Sequence, residues 1–131
     1  MGGQIPNNTL SQFQLLETLD LSRNFLSGPL PPSIGLLTNL HKLSLSMNHF
    51  SGPIPVDYFS PALETLGLSG NRLTGSIPVE VGNSTLLSQL LLQNNRLTGC
   101  IPQELSNLTR LNNLRIDQNN LHSFVPHRSH Y

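Results

Sequence analysis

Apolar residues recur along this chain in the order apolar-x-x-apolar-x-apolar, with an asparagine three residues further on. One copy reads Leu63-x-x-Leu66-x-Leu68-x-x-Asn71-x-Leu73-x-Gly75-x-Ile77-Pro78. The others are anchored by Leu16/Leu19/Leu21, Leu40/Leu43/Leu45, Leu87/Leu90/Leu92 and Leu111/Leu114/Ile116. Asn24, Asn48, Asn71, Asn95 and Asn119 follow one another at spacings of 24, 23, 24 and 24 residues. A partial unit, Gly3-Gln4-Ile5-Pro6, leads. The last repeat runs out through Ser123-Phe124-Val125-Pro126, with serine where the others have glycine. Self-similarity at a fixed period of this length marks a stacked-repeat architecture and takes precedence over any local reading.

Each recurrent position has a physical cause. Residues two apart on a strand share a face, so the paired leucines point inward and their neighbours outward. One repeat cannot bury its own leucines; stacking the repeats builds a continuous core beneath a parallel sheet. Strands about 4.8 Å apart make a five-stranded sheet roughly 20 Å wide. The asparagine falls where the chain turns inward, and its amide can pair with turn backbone that would otherwise lack partners. Glycine then allows a tight bend, and proline sets an extended path. Leucines three and four apart also fit an amphipathic helix, but a Gly and a Pro in each unit break any helix beyond about two turns. The expected fold is therefore an α/β solenoid. It has a parallel β-sheet on its concave face and little regular helix on its convex side. The expected division is a partial leading repeat at 1–15, repeats at 16–39, 40–62, 63–86, 87–110 and 111–126, and a tail at 127–131.

Composition agrees. Leucine occurs 27 times in 131 residues, whereas charged residues make up only 11%, against roughly a quarter in an average soluble domain. Formal net charge is zero, which gives no basis for nucleic acid or an anionic membrane as partner. No run of about 18 apolar residues occurs, so direct membrane insertion is not expected. The start of the chain shows neither a basic stretch nor an apolar one of the secretory kind. Cys100 is the single cysteine and cannot form an internal disulfide.

Four segments sharpen the assignment: Leu26-Ser27-Gly28-Pro29-Leu30-Pro31, Phe50-Ser51-Gly52-Pro53-Ile54-Pro55, Leu73-Thr74-Gly75-Ser76-Ile77-Pro78 and Leu97-Thr98-Gly99-Cys100-Ile101-Pro102. On these residues the chain resembles the plant-specific leucine-rich repeat of receptor-like kinases, receptor-like proteins and polygalacturonase-inhibiting proteins, over residues 3–126. The resemblance implies a second short sheet at the Gly-x-Ile-Pro segment and an ectodomain facing the apoplast. It also implies a protein or peptide ligand, with a co-receptor ectodomain as a further partner. The cysteine-bearing caps of complete ectodomains have no counterpart here, and neither does a membrane span or a kinase motif. The chain is accordingly expected to be a fragment, a truncated gene product or a partial gene model.

Candidate binding residues come from the outward strand positions. Reading equivalent positions across the repeats gives Asp20, Ser44, Gly67, Leu91 and Arg115; then Ser22, Ser46, Ser69, Gln93 and Asp117; then Arg23, Met47, Gly70, Asn94 and Gln118. Asp20, Met47, Leu91, Gln93, Arg115 and Asp117 are the ligand-binding candidates among them. Leu91 is the apolar candidate and Arg115 the cationic one. Arg72 and Arg96 follow the asparagine in adjacent repeats and are expected to stack on one flank with His49. Guanidiniums there can grip a carboxylate or phosphate. Three N-x-[ST] triplets make Asn7, Asn83 and Asn107 glycosylation candidates. Asn83 and Asn107 share one repeat position, which the resemblance places on the convex return. No nucleophile sits beside a base in a recognisable motif, and carboxylates are scattered singly, so no catalysis is expected. Of the five histidines, His122, His127 and His130 crowd the C-terminal end, and neither a metal site nor a cofactor is expected. The function this implies is extracellular recognition in signal perception. The alternatives are a cell-wall-enzyme inhibitor and a truncated segment with no independent function.

Overall fold

The structure, a computed structural model, describes residues 2–4 and 13–123. The Asn7 triplet, residues 124–126 and the tail at 127–131 lie outside them. Each of the five repeats lays down one strand on the concave face, turns at its asparagine and adds a second short strand; the first four then return through a 3-10 turn.

The concave sheet contains β2 (Thr18–Asp20), β4 (Lys42–Ser44), β6 (Thr65–Gly67), β8 (Gln89–Leu91) and β10 (Asn113–Arg115), all parallel and in sequence order. Equivalent residues face one another without offset: Leu19 pairs with Leu43, Leu43 with Leu66, Leu66 with Leu90, and Leu90 with Leu114. The inward leucines Leu43, Leu45, Leu66, Leu68, Leu90 and Leu92 are at most 1% exposed. Burying one such side chain stabilises the fold by about 1.5–3 kcal/mol.

A second set of short parallel strands follows the asparagines: β3 (Phe25–Pro29), β5 (His49–Gly52) and β7 (Arg72–Leu73), with β1 (Gly2–Gly3) beside β3, and then β9 (Thr98–Cys100) with β11 (Asn120–His122). Their register differs from that of the concave sheet. Ser27 pairs with His49, Ser51 with Arg72 and Thr98 with Asn120, an offset of two residues per repeat. The convex side among the described residues has no α-helix. It carries 3-10 turns at Pro32–Leu36, Val56–Tyr58, Val79–Asn83 and Gln103–Asn107.

The repeat with the 23-residue spacing is accommodated on the convex side. Its 3-10 turn has three residues where its neighbours have five, and Phe59 takes the capping position held by Leu37, Ser84 and Leu108 elsewhere. Tyr58 enters the core at the position of Ile34 and Val81, and its hydroxyl donates to the Pro31 carbonyl at 2.9 Å. Burial pushes its ionisation well above the ordinary tyrosine value. The convex layers come close together here. A side chain on Gly35 would begin 2.5 Å from the backbone carbonyl and Cβ of Asp57.

The asparagines stitch the repeats. Asn71 Nδ2 donates to Leu45 O of the preceding repeat at 3.0 Å and to Leu68 O of its own at 3.1 Å, while its Oδ1 accepts from Phe50 N–H at 3.0 Å. Asn48, Asn95 and Asn119 repeat this pattern. Each amide thus satisfies carbonyls at the end of a concave strand and an N–H at the start of a second-sheet strand. The pairing expected from sequence is present, and it reaches across repeats as well as within one.

Candidate recognition surface

The outward residues of the concave sheet form three rows. Thr18, Lys42, Thr65, Gln89 and Asn113 form the first; Asp20, Ser44, Gly67, Leu91 and Arg115 the second. Past the strand ends come Ser22, Ser46, Ser69, Gln93 and Asp117. The middle of this face is small and closed: Gly67 is buried, and a side chain there would begin 3.1 Å from the Ser46 hydroxyl and 3.4 Å from that of Ser44, while Ser46 Oγ accepts from Ser69 N–H at 3.1 Å.

The charged candidates at its two ends are already engaged. Asp20 Oδ1 accepts from the hydroxyl and the backbone N–H of Ser22. The hydroxyl bond first, and the backbone bond next, hold its carboxyl below the usual value. Arg115 forms a two-point pair with Asp117, Nε to Oδ1 at 2.8 Å and Nη2 to Oδ2 at 3.0 Å. The hydrogen bonds from Arg115 lower the Asp117 carboxyl, and those to Asp117 raise the guanidinium. Leu91 is half-buried, less open than its outward position implies. Gln93 is also half-buried, with its Oε1 enclosed and lacking a protein partner.

Met47 stands in a third group. Arg23, Met47, Asn94 and Gln118 all have φ between 58° and 61°, and Gly70 at the same repeat position has 66°. This left-handed residue before each asparagine turns the chain out of the concave sheet. Only Gly70 and Asn94 are residue types that take it readily, and they were the signal for this turn. Met47 is 53% exposed, with its sulfur over Gly70.

Arg72 and Arg96 lie apart from the concave face. They project from the outer face of the second sheet, because Leu73 and Leu97 beside them are fully buried. The two-residue offset brings each alongside a hydroxyl residue of the preceding repeat. Arg72 pairs with Ser51. Arg96 lies alongside Thr74, since Arg96 N–H donates to Leu73 O and Thr98 N–H to Gly75 O, each at 2.8 Å. In the repeat before, His49 pairs with Ser27 and stacks on Phe25 with ring centroids 6.2 Å apart. The hydroxyl row Ser27, Ser51, Thr74 and Thr98 was not recognisable as a neighbour of the arginines from spacing alone, because the offset is a property of the sheet.

Asn83 and Asn107 are both exposed, each the last residue of its 3-10 turn, so the shared repeat position becomes a shared place on the convex side. Cys100 is exposed on β9. Among the described residues no group of three metal-ligating side chains gathers, and no helix is long and apolar enough to cross a membrane.

Comparison with known proteins places this geometry. The Leucine Rich Repeat family model matches residues 15–37, 39–60, 62–84 and 86–108. No curated protein matched the chain. Among solved structures, the plant peptide hormone receptor RGFR1 in complex with RGF2 is 44% identical with a TM-score of 0.87, over 92% of this chain and 19% of that one. The Arabidopsis receptor kinase HAESA, in complex with the peptide hormone IDA and the co-receptor SERK1, is 37% identical at a TM-score of 0.88, over 95% and 21%. The ectodomain of the receptor kinase SOBIR1 from Arabidopsis thaliana is 30% identical at 0.86, over 94% and 67%. The chain thus spans about a fifth of the length of the two peptide-bound receptors. Repeat motif, two-sheet geometry and these likenesses agree: the chain belongs to the plant leucine-rich repeat family and resembles the ectodomains of plant receptor kinases.

Proposed function

We propose that these repeats are a ligand- and co-receptor-binding segment on the outer face of a plant receptor-like kinase or receptor-like protein, acting in signal perception. The observation that carries the reading is the five-stranded concave sheet, whose aligned outward rows can display side chains to an extended ligand at about 4.8 Å intervals. RGFR1 and HAESA, similar over more than nine-tenths of this chain, are receptors in complex with peptides. Leu91, Gln93, Arg115 and Asp117 form the contact region at one end of the sheet, Asp20 and Met47 that at the other. Binding by display needs no catalytic group. Glycans on Asn83 and Asn107 would cover the convex side and leave the sheets open.

The test is calorimetric titration of the chain, made in a secretory plant host, against hormone-type peptides and a co-receptor ectodomain. Saturable binding weakened about tenfold by L91A/R115A is the expected result. Mass loss on N83Q and N107Q reports the glycans. Inhibition of a polygalacturonase, with no binding to peptide or co-receptor, would replace this reading by the cell-wall-enzyme inhibitor.

A further inference from the structure

The two sheets treat charge differently. Among the described residues the ion pairs are Arg115–Asp117 on the concave side and His41–Glu64 at the strand entry. Arg72 and Arg96 have no carboxylate within 4.0 Å among the described residues, and both are exposed. The acidic residues of these and the preceding repeat are elsewhere: Glu64 pairs with His41, and Asp57, Glu80 and Glu104 sit in the first turns of successive 3-10 segments on the convex side. One side of the solenoid therefore carries unneutralised cations in register, and another carries anions in register.

The register of the second sheet adds a neutral donor to each cation. Ser51 lies beside Arg72 and Thr74 beside Arg96, so a guanidinium and a hydroxyl recur as a unit in two consecutive repeats. A guanidinium donates two parallel bonds to a carboxylate, and a hydroxyl can donate a third. The units are related by one strand across and two residues along, about 8 Å on the diagonal. An extended peptide carries same-side residues about 6.6 Å apart, so carboxylates at alternate positions reach both units. Beyond Arg72 the face continues into His49 stacked on Phe25, with Phe25 58% exposed. That end provides apolar surface for an uncharged residue of the same peptide.

We propose that the outer face of the second sheet is a docking surface for an extended acidic peptide. Carboxylates at alternate positions pair with Arg72–Ser51 and Arg96–Thr74, and an apolar residue lies against Phe25 and His49. This rests on the reading of the repeats as a recognition segment, and it places a second, charge-selective surface outside the concave sheet. The convex anions repel such a peptide and so favour the arginine face.

The experiment is fluorescence anisotropy with the whole chain and a labelled ten-residue peptide bearing glutamate at alternate positions and phenylalanine at one end. A lysine-for-glutamate peptide and a short oligogalacturonate serve as comparison probes. R72A and R96A each weaken acidic-peptide binding about three- to fivefold, and the double variant more than tenfold. R72K/R96K recovers part of the loss, because charge returns without the planar fork. Raising ionic strength from about 0.01 M to about 1 M abolishes binding as the screening length falls from about 30 Å to about 3 Å. The lysine peptide does not bind. Wild-type binding by R72A/R96A, or no acidic-peptide binding at all, overturns the proposal. Tighter binding of oligogalacturonate than of peptide overturns the partner class. Loss with L91A/R115A but not with R72A/R96A overturns the location while leaving the concave-face function standing.

Discussion

The concave sheet and the second sheet are built from the same repeat, yet they present opposite chemistry. On the concave sheet equivalent residues align strand to strand, and the charges at its ends are spent on neighbours two residues away: Asp20 on Ser22, Arg115 on Asp117. On the second sheet the two-residue offset puts unlike residues side by side, and among the described residues Arg72 and Arg96 stay without acidic neighbours. Register alone thus decides whether a repeated residue meets its own kind or a different one. Lys42 apart, the concave sheet offers shape and neutral polarity; the second sheet offers positive charge that recurs in consecutive repeats.

Three perturbations test how separate the two sheets are. The largest effect is expected for Phe50→Ala, which empties a fully buried site beneath the second sheet. It should cost about 4 kcal/mol in urea unfolding. Hydrogen exchange should show greater loss of protection in β5 and β7 than in β4 and β6, if the second sheet can loosen by itself. Equal loss in both would show that they unfold as one unit.

Next comes Asn71→Ala, which removes the amide joining both sheets and strands buried groups at Leu45, Leu68 and Phe50. A cost of about 3 kcal/mol is expected. Asn24→Ala should cost less than about 1 kcal/mol, since Asn24 is exposed and, among the described residues, its side chain bonds the Leu21 and Ser22 carbonyls of its own repeat. Similar losses in the two variants would remove the stitching role from the buried asparagines.

The smallest effect is electrostatic. Arg115→Ala should let the Asp117 carboxyl titrate higher, toward its ordinary value, as read by carbon NMR against pH. Arg72→Ala should shift no carboxyl. The sign follows from the lowered folded value. The Asp117 pairing favours the fold at pH above the ordinary carboxylate range and is lost as pH falls through the lowered value. The pair is exposed, so the effect on stability is small. A carboxyl that moves on Arg72→Ala would mean that the second-sheet cations are neutralised after all.

Much of this was legible in the residues. The inward positions at Leu43, Leu66 and Leu90 follow from alternation, and the buried pairing of Asn48, Asn71 and Asn95 follows from a polar side chain repeated amid leucines. The left-handed residue before each asparagine was half visible: Gly70 and Asn94 signal it, whereas Arg23, Met47 and Gln118 hide it. The partners of Arg72 and Arg96 were not visible. Sequence spacing places them in one row with His49, but the sheet sets Ser51 and Thr74 beside them. The repeat of altered length was visible as a spacing, while its repair by Tyr58 and Phe59 required the packed convex side.

The sequence by itself determined the solenoid, the number and order of its concave strands and the inward set of leucines. A period of about 24 residues with alternating apolar positions has one way to bury its surface, by stacking repeat on repeat. Only the tertiary structure decided which polar residues become neighbours. Backbone hydrogen bonds between strands set the offset, zero in one sheet and two in the other, and no residue pattern within a single repeat encodes that choice. The consequence is that Arg115 is paired with Asp117, while Arg72 and Arg96 remain without an acidic partner among the described residues.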